Sequence, residues 1–552
     1  MTERTESSKQ SGKHTSSKKH SRRNVLRGGL VATAAAGVAI PAAGAAVAVA
    51  AEPGGDGRAL PPGPAKVGRD DPRYRSLATR GYNRRFEGRP EHVWVVGTTE
   101  HVVRAVQEAV DGGKRITVRS GGHCFEDFTA DPAVQVVIDT SAMNGVYYDP
   151  DRRAFAVEAG ATLGEVYRRL YLGWGVTIPA GWCPDVGAGG HVVGGGYGAL
   201  SRVMGLAVDH LYAVEVVVVD RAGRARSVVA TRDATDPNRD LWWAHTGGGG
   251  GNFGIVTRYW FRTPGARGDD PARLLPAPPP TVLTFTVTWD WTGFDKASFT
   301  RMVRNYGAWA ERNAAPDSPT APLYSEFQLN RRASGTIGMI GQVAAASGAE
   351  RLLDEHLAAV NQGVPVSPVR QVKTQTWLAA ALAGPPGEPG PNYRLKTKSA
   401  YLHRGLTDRQ IGVLHHHLTR ADYDYPGGSL NLYTFGGRVN GVAKDATAAS
   451  HRSTVMKMFL VNGWENAADD QRHITWVREL YRDLYADSGG VPPAADGAFI
   501  NYPDADLADP AWNKGAPWHT LYYGDNYARL QKIKARWDPR DVFRHTLAIR
   551  PA

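Results

Sequence analysis

The apolar positions of this chain hold one period for a stretch and then switch to another, and the switches mark out its elements. "HVWVVG" (92–97) reads as a short strand. In "TTEHVVRAVQEAVDGGKR", which follows, Val102, Val103, Val106, Ala109 and Val110 recur at helical spacing, a Thr takes the cap position, and Gly112 and Gly113 stand where a helix stops. "ITVRS" returns to strand and runs into "SGGHCF", so a strand–helix–strand unit ends on glycines whose backbone N–H groups can face an anion. Further on, an amphipathic helix is predicted from Thr162, strands at "LYAVEVVVVD" and "GIVTRYWF", and a long Gly turn between them. Near 270 the texture changes. Leu283, Phe285, Val287 and Trp289 alternate with Thr284, Thr286 and Thr288, the period of an antiparallel strand with one wet face. "LYSEFQLNRRASGTIGMIGQV" reads as a hairpin, and "SGAERLLDEHLAAVNQG" and "DDQRHITWVRELYRDLYA" as helices lying across such a sheet. "PGGDGRALPPGPAKVG" has no period and reads as a linker, with order beginning near Arg80.

Length adds a domain count: 552 residues exceed one core, so two or more domains are expected. Apolar residues at 42% and charged residues at 22% are ordinary for a water-soluble body, and no stable membrane insertion is expected after the first fifty or so positions. Of the formal charge of +11, residues 1–30 supply more than half, with eight Lys/Arg against two Glu. The remaining Arg and Lys are interleaved with acids and form no stripe, so no nucleic-acid partner is expected. The basic tail reads as an address instead. "SRRNVLRGGL" followed by an Ala/Gly/Val stretch resembles a twin-arginine export signal over 1–51, with an uncleaved anchor as the alternative. Such systems carry proteins that fold around a cofactor, so secretion and a bound cofactor are expected together.

The candidate chemistry sits in "CPDVGAGGHVVGGGYG" (183–198). "GGGYGA" fits a dinucleotide fingerprint, but the residues before it are "VGAGGHVV" rather than an apolar strand, which leaves a nicotinamide-dependent dehydrogenase as a competing reading. Residues without a Cβ let backbone approach something flat and large. His191 reads as a structural hydrogen-bonding residue. His415, His416 and His417 point about 100° apart on a helix and cannot converge on one ion, so a solvated face is expected and no metal is assigned. Cys124 and Cys183 admit two readings, a disulfide of an exported protein or two separate ligand-facing thiols.

Five segments together carry a family resemblance: "RSGGH" (119–123), "GWCPDVGAGGHVVGGGYG" (181–198), "GGNFGIVT" (250–257), "LKTKSAYL" (395–402) and a tail from "NYPDADL" to "DVFRH". In this order, with 60 residues from His123 to Cys183, the chain resembles the berberine-bridge-enzyme-like FAD-linked oxidases with bicovalent flavin, in their bacterial secondary-metabolite and carbohydrate oxidase branch. The resemblance implies an α+β, two-domain fold: a PCMH-type (vanillyl-alcohol-oxidase-like) FAD-binding domain over 85–269, a substrate domain with a helix-covered antiparallel sheet over 270–500, and a segment 501–552 returning to the first, with 52–84 as linker. It implies FAD bound covalently through His123 and Cys183. Arg119, Ser120, Gly121 and Gly122 would line the cofactor beside the histidine, Gly187, Gly189, Gly190, Val193 and Gly194 beside the cysteine, and Ile255 and Asn526 elsewhere. Cys124, left without a partner, is expected as a buried free thiol.

The same resemblance implies that Tyr502 of "INYPD" takes the proton of a substrate hydroxyl, with Tyr433 of "LYTFGG" and Tyr197 of "GGGYG" as further catalytic or pocket tyrosines. A free tyrosine titrates near 10, so Tyr502 needs a neighbouring cation or hydrogen-bond donor. Val186, three positions after Cys183, is a small aliphatic residue that favours oxygen as the electron acceptor. The implied activity is oxidation of an alcohol or hemiacetal in a sugar or glycosylated secondary metabolite, oxygen being reduced to hydrogen peroxide. A flavin dehydrogenase using another acceptor and a non-catalytic carbohydrate-binding flavoprotein remain as alternatives.

Overall fold

The computed structural model describes residues 63–345, 347–384, 390 and 392–552. The expected export signal (1–51) and the first part of the expected linker lie outside the described residues.

Sixteen described strands form three sheets. The first holds β1 (Ala65–Gly68), β2 (His92–Val95), β3 (Ile116–Arg119) and β4 (Val136–Asp139), in the order β1-β2-β4-β3. β2 and β3 run parallel to β4, and β1 adds antiparallel to β2. β1 and the helix Tyr74–Ala78 fall inside the stretch expected to be linker, so order begins earlier than Arg80. The reason is main-chain pairing: β1 buries a single side chain, Val67, too little to leave a period in the sequence. The helix Thr99–Asp111 starts where Thr98 accepts a hydrogen bond from the His101 N–H, and it buries Val102, Ala105, Val106 and Ala109. β3 then hands the chain to Ser120–His123.

The second sheet is antiparallel: β5 (Val146–Asp149), β6 (Ala154–Glu158), β7 (Leu211–Val219), β8 (Ala225–Thr231) and β9 (Ile255–Phe261), ordered β5-β6-β9-β7-β8. The helix Leu163–Trp174 begins on a capping box between Thr162 and Glu165 and ends at Gly175, whose φ of 70° is left-handed. The glycine run holds a short helix of its own, Ala188–Val193.

The third sheet has seven antiparallel strands: β10 (Thr281–Asp290), β11 (Leu323–Asn330), β12 (Thr336–Val343), β13 (Val369–Thr376), β14 (Arg394–Leu402), β15 (Ser429–Thr434) and β16 (Met456–Trp464). Their order is β13-β10-β12-β11-β15-β16-β14. β10 buries Leu283, Phe285, Val287 and Trp289 as the alternation predicts, and β11 and β12 form the predicted hairpin. The two faces differ in chemistry. Tyr306, on the helix Lys296–Arg312, packs on Phe327 with ring centroids 4.9 Å apart and donates to the Leu432 carbonyl, so one face carries the helix layer. Tyr324, Glu326 and Gln328, of opposite parity on β11, line a cavity on the other face.

The C-terminal segment returns to the glycine turn ahead of β9. Lys534 donates to the Asn252 carbonyl at 2.7 Å, and the Ile549 N–H donates to Asn252 Oδ1 at 2.8 Å. Among the described residues no helix is long and apolar enough to cross a membrane.

Candidate active site

A cavity of about 500 Å³ is bounded by the two glycine loops on one side and by the third sheet on the other. Backbone proximity sets the loop side. A Cβ on Gly121 would lie 2.4 Å from the Gly187 nitrogen, and a Cβ on Gly187 would lie 2.3 Å from the Gly121 nitrogen. Only glycine fits at both positions, and their contact joins the loop after β3 to the loop after Cys183. Ser120 Oγ donates to the Ala159 carbonyl at 2.6 Å, and Tyr259 donates to the Gly189 carbonyl at 2.7 Å, tying both loops to the second sheet. A Cβ on Gly190 would meet nothing within 4 Å, so open space lies over its backbone.

Each loop brings one reactive side chain to the cavity wall. His123 lies under the Tyr82 ring, centroids 4.5 Å apart and planes 21° apart, and burial lowers its pKa against the opposing pull of Asp185. Its imidazole is therefore neutral, with a free lone pair near pH 7. Burial pushes Cys183 up to about 11, with Glu326 and Asp185 adding to the effect, so it is held as the thiol. Cys124 makes no disulfide; burial pushes it up to about 12. It is half-buried at the cavity edge, less enclosed than expected. His191 accepts from the Gly181 N–H at 3.0 Å, and burial brings its pKa down to about 4. It is a neutral structural acceptor.

The sheet wall is built by register. Glu326 on β11 pairs with Tyr433 on β15, which pairs with Lys457 on β16, so the three side chains stand in one row across three strands. Burial pushes the Glu326 carboxyl up to about 7, although Asn431 Nδ2 donates to it at 2.9 Å and Gln328 Nε2 at 3.1 Å. Burial pulls Lys457 down to about 7, with Glu326 working against that fall. The Lys457 ammonium sits in an aromatic cage, 4.3 Å from the Tyr197 ring centroid, 4.9 Å from Tyr433 and 4.7 Å from Tyr502. Its nitrogen also lies 3.5 Å from the Tyr502 hydroxyl. Burial, Cys183 and Glu326 raise the Tyr502 pKa, and the Tyr433 hydroxyl lowers it.

Two further contacts aim Tyr502. Asn501 Nδ2 donates to the His191 carbonyl at 2.9 Å, and a Cβ on Gly194 would collide with the Asn501 amide. Behind Tyr502, Lys396 and Lys398 on β14 enter a buried cluster. Lys396 contacts Glu126 at 2.8 Å and Asp504 at 2.7 Å; Lys398 contacts Asp504 at 2.6 Å and Asp506 at 2.9 Å; Arg478 closes the set on Asp506 at 2.7 Å. Glu126 is three residues from His123 and Asp504 two from Tyr502, so this cluster fixes both loops to one sheet edge.

The structure thus gathers His123, Cys183, Ser120, Gly121, Gly122, Gly187, Gly189, Gly190, Val193, Tyr197, Tyr433 and Tyr502 around one cavity. Arg119 reaches its edge, but its guanidinium is engaged with Asp139 at 2.8 Å and with backbone carbonyls. Three expected cofactor residues lie off the wall. Gly194 makes room for Asn501, Ile255 is a core residue at the start of β9, and Asn526 donates to the carbonyls of Lys444 and Thr447. The Tyr197 hydroxyl, on the cavity wall, donates to the Thr434 carbonyl. His417 departs from the expected solvated face: it is 1% exposed and bonds Asp483 at 2.9 Å. Among the described residues no His, Cys, Asp or Glu cluster could hold a metal ion. Sequence reasoning missed Glu326 and Lys457. Their only local signal is a lone charge inside a strand, "SEF" and "MKM".

Comparison with known proteins places these features in a lineage. A family model described as an FAD binding domain matches residues 90–226, and one described as berberine and berberine like matches 498–550. An aclacinomycin-N/aclacinomycin-A oxidase of Streptomyces galilaeus is 55% identical over 531 residues, spanning 95% of this chain and 96% of that protein. A hexose oxidase of Chondrus crispus is 32% identical across 87% of this chain and 93% of that protein. Among solved structures, a glycopeptide hexose oxidase complexed with teicoplanin superposes with a TM-score of 0.85 at 52% identity, covering 89% of this chain and 99% of that one.

Proposed function

The chain belongs to the berberine-bridge-enzyme-like FAD-linked oxidases, and on that premise we propose that it oxidises an alcohol or hemiacetal of a sugar or glycosylated secondary metabolite, with oxygen as acceptor. The observation that carries this reading is the Tyr502 hydroxyl 3.5 Å from the Lys457 ammonium, on the same cavity as His123 and Cys183. The site suits FAD: two backbone loops meet without a Cβ between them, open space lies over Gly190, and two nucleophilic side chains face the same volume. Bound FAD, held between the loops of Gly121 and Gly187, would supply an acceptor for the carbinol hydride and for electron transfer to oxygen.

His123 and Cys183 are proposed as the covalent anchors, the first as a neutral imidazole and the second as a thiol that must give up its proton. Tyr502 takes the substrate hydroxyl proton, and the charged form of Lys457 stabilises negative charge on its oxygen. Trp182 and Tyr324 offer aromatic faces to the C–H side of a pyranose, while Gln328 and Asn431 offer amides to its hydroxyls. The names of the relatives support this substrate class: aclacinomycins and hexoses for the two curated oxidases, and a glycopeptide for the solved complex. Val186, half-buried on the wall, is small enough to leave oxygen a path. Export by the twin-arginine route is proposed on the N-terminal sequence.

The test is a peroxide-release screen of the purified flavoprotein over aclacinomycin A, mono- and oligosaccharides and a teicoplanin-type glycopeptide. Beside it runs anaerobic bleaching with Tyr502→Phe, whose flavin reduction should slow by about 10²–10⁴-fold. An acid-precipitated pellet should stay yellow. A colourless pellet refutes the anchors, and undiminished bleaching in Tyr502→Phe refutes the base.

A further inference from the structure

His123 is held by packing rather than by polar contacts. Among the described residues no hydrogen bond reaches either of its ring nitrogens, and its ring meets one other ring, that of Tyr82, with centroids 4.5 Å apart and planes 21° apart. We infer that Tyr82 sets the plane of the His123 imidazole for attachment of FAD. This rests on the reading of His123 as an anchor and goes beyond it, because Tyr82 belongs to none of the motifs that point to the cofactor. It acts through His123 and is a positioning residue.

The plane matters because the lone pair of a neutral imidazole lies in it. A bond to carbon forms along that direction, so rotation of the ring takes the nitrogen off its target. An imidazole that must face one way is ordinarily fixed by a hydrogen bond on its other nitrogen. Here both nitrogens are left open, and the flat face of Tyr82 limits rotation without occupying the lone pair.

Tyr82 is itself immobilised. Its N–H donates to the carbonyl of Gly122, the residue before His123, at 2.9 Å, and the Tyr393 ring stands edge-on to it at 5.5 Å and 69°. Asn83, which is buried, ties the same loop to the third sheet: its amide donates to the Phe125 carbonyl at 2.7 Å and the Leu395 carbonyl at 3.1 Å, and accepts from the Leu395 N–H at 3.1 Å. Arg80 donates to the Ser120 carbonyl. Residues 80–83 therefore take the carbonyls of Ser120, Gly122 and Phe125 in turn, forming a strap along the loop that carries His123 and ending on β14. None of these bonds is made to Cys183 or its neighbours, so the strap serves one anchor and not the other.

Attachment balances as follows: an imidazole N–H bond and one C–H bond of a flavin ring methyl break, a C–N bond forms, and the two protons and two electrons released pass to oxygen, the acceptor of the proposed oxidation, as hydrogen peroxide.

The test reads the anchors directly and needs no substrate. The full chain is expressed with its flavin, sampled over the hours after induction and digested, and the His123 and Cys183 peptides are weighed by mass spectrometry. Tyr82→Met keeps the apolar bulk without a flat face. Flavin should accumulate on its His123 peptide at least about tenfold more slowly than in wild type, while the Cys183 peptide is modified at the wild-type rate. Tyr82→Phe keeps the ring and loses a hydroxyl that bonds nothing among the described residues, so it should match wild type at both peptides. A His123 peptide modified as fast in Tyr82→Met as in wild type, a loss shared equally by both anchors, or a Tyr82→Phe protein as slow as Tyr82→Met overturns the inference and leaves the anchor reading in place. A wild-type His123 peptide at its unmodified mass refutes the anchor reading and the inference with it.

Discussion

Replacing Lys398 by Met should cost the protein several degrees of thermal stability while keeping its volume nearly filled. The buried cluster around it is balanced, with Lys396, Lys398 and Arg478 against Glu126, Asp504 and Asp506. The substitution deletes contacts of 2.6 Å to Asp504 and 2.9 Å to Asp506 and leaves one carboxylate charge uncompensated among side chains no more than 6% exposed. Breaking a buried pair in this way costs about 3–5 kcal/mol. At about 2.1 cal/mol/K per residue, the unit Leu60–Ala552 unfolds with about 1 kcal/mol/K of entropy, so Tm should drop by about 3–5 °C at pH 7. The pH dependence has a definite sign. Burial raises the Asp506 pKa, but Lys398, Lys396 and Arg478 outweigh it and hold the carboxyl below the usual range. A depressed folded pKa contributes stability above the unfolded value of about 4 and loses it as pH falls toward the folded value. Wild-type Tm should therefore decline below about pH 4. The variant can protonate its orphaned carboxylate, so the gap between the two proteins should narrow toward acid. Circular-dichroism melts of both proteins at pH 7 and pH 4 measure this. A gap under about 1 °C at pH 7, or one that widens in acid, would show that the cluster does not hold the sheet edge as described.

Two other substitutions separate positions that look alike in sequence. Gly187→Ala places a Cβ 2.3 Å from the Gly121 nitrogen; both loops must part, and flavin retained after acid precipitation should fall well below wild type while far-UV ellipticity is unchanged. Tyr197→Phe removes a hydroxyl that donates to a backbone carbonyl rather than facing the reaction, so flavin reduction should slow by less than about tenfold, against the 10²-fold or greater loss at Tyr502. Equal losses at the two tyrosines would return Tyr197 to the proton path.

The elements were legible wherever a period ran long enough. Leu283 to Trp289 on β10, the Thr98 cap and the Thr162 helix start all lie where the pattern puts them. β1 was not legible because one buried valine makes no period. His123 and Cys183 lie 60 residues apart and were assigned to one cavity by family resemblance; periodicity alone carries no information about which loops meet. Glu326 and Lys457 escaped notice for a related reason. Their significance comes from strand pairing through Tyr433, and a register between separate segments, about a hundred residues apart for β11 and β15, leaves no local mark. Asn526 and Ile255 lie off the cavity wall, where a motif position is a hydrogen-bonding clasp in one case and core in the other, which their sequence segments do not reveal.

The alternation of the seven-stranded sheet has one more consequence. If β16 slipped by a single residue against β15, the Lys457 ammonium would rotate out of its aromatic cage and into the apolar layer beneath Leu432 and Leu460. Glu326 is exposed to the same hazard on β11. The groups that make the pocket reactive therefore also favour one register of the sheet, because a misaligned strand would carry a charge toward an apolar layer.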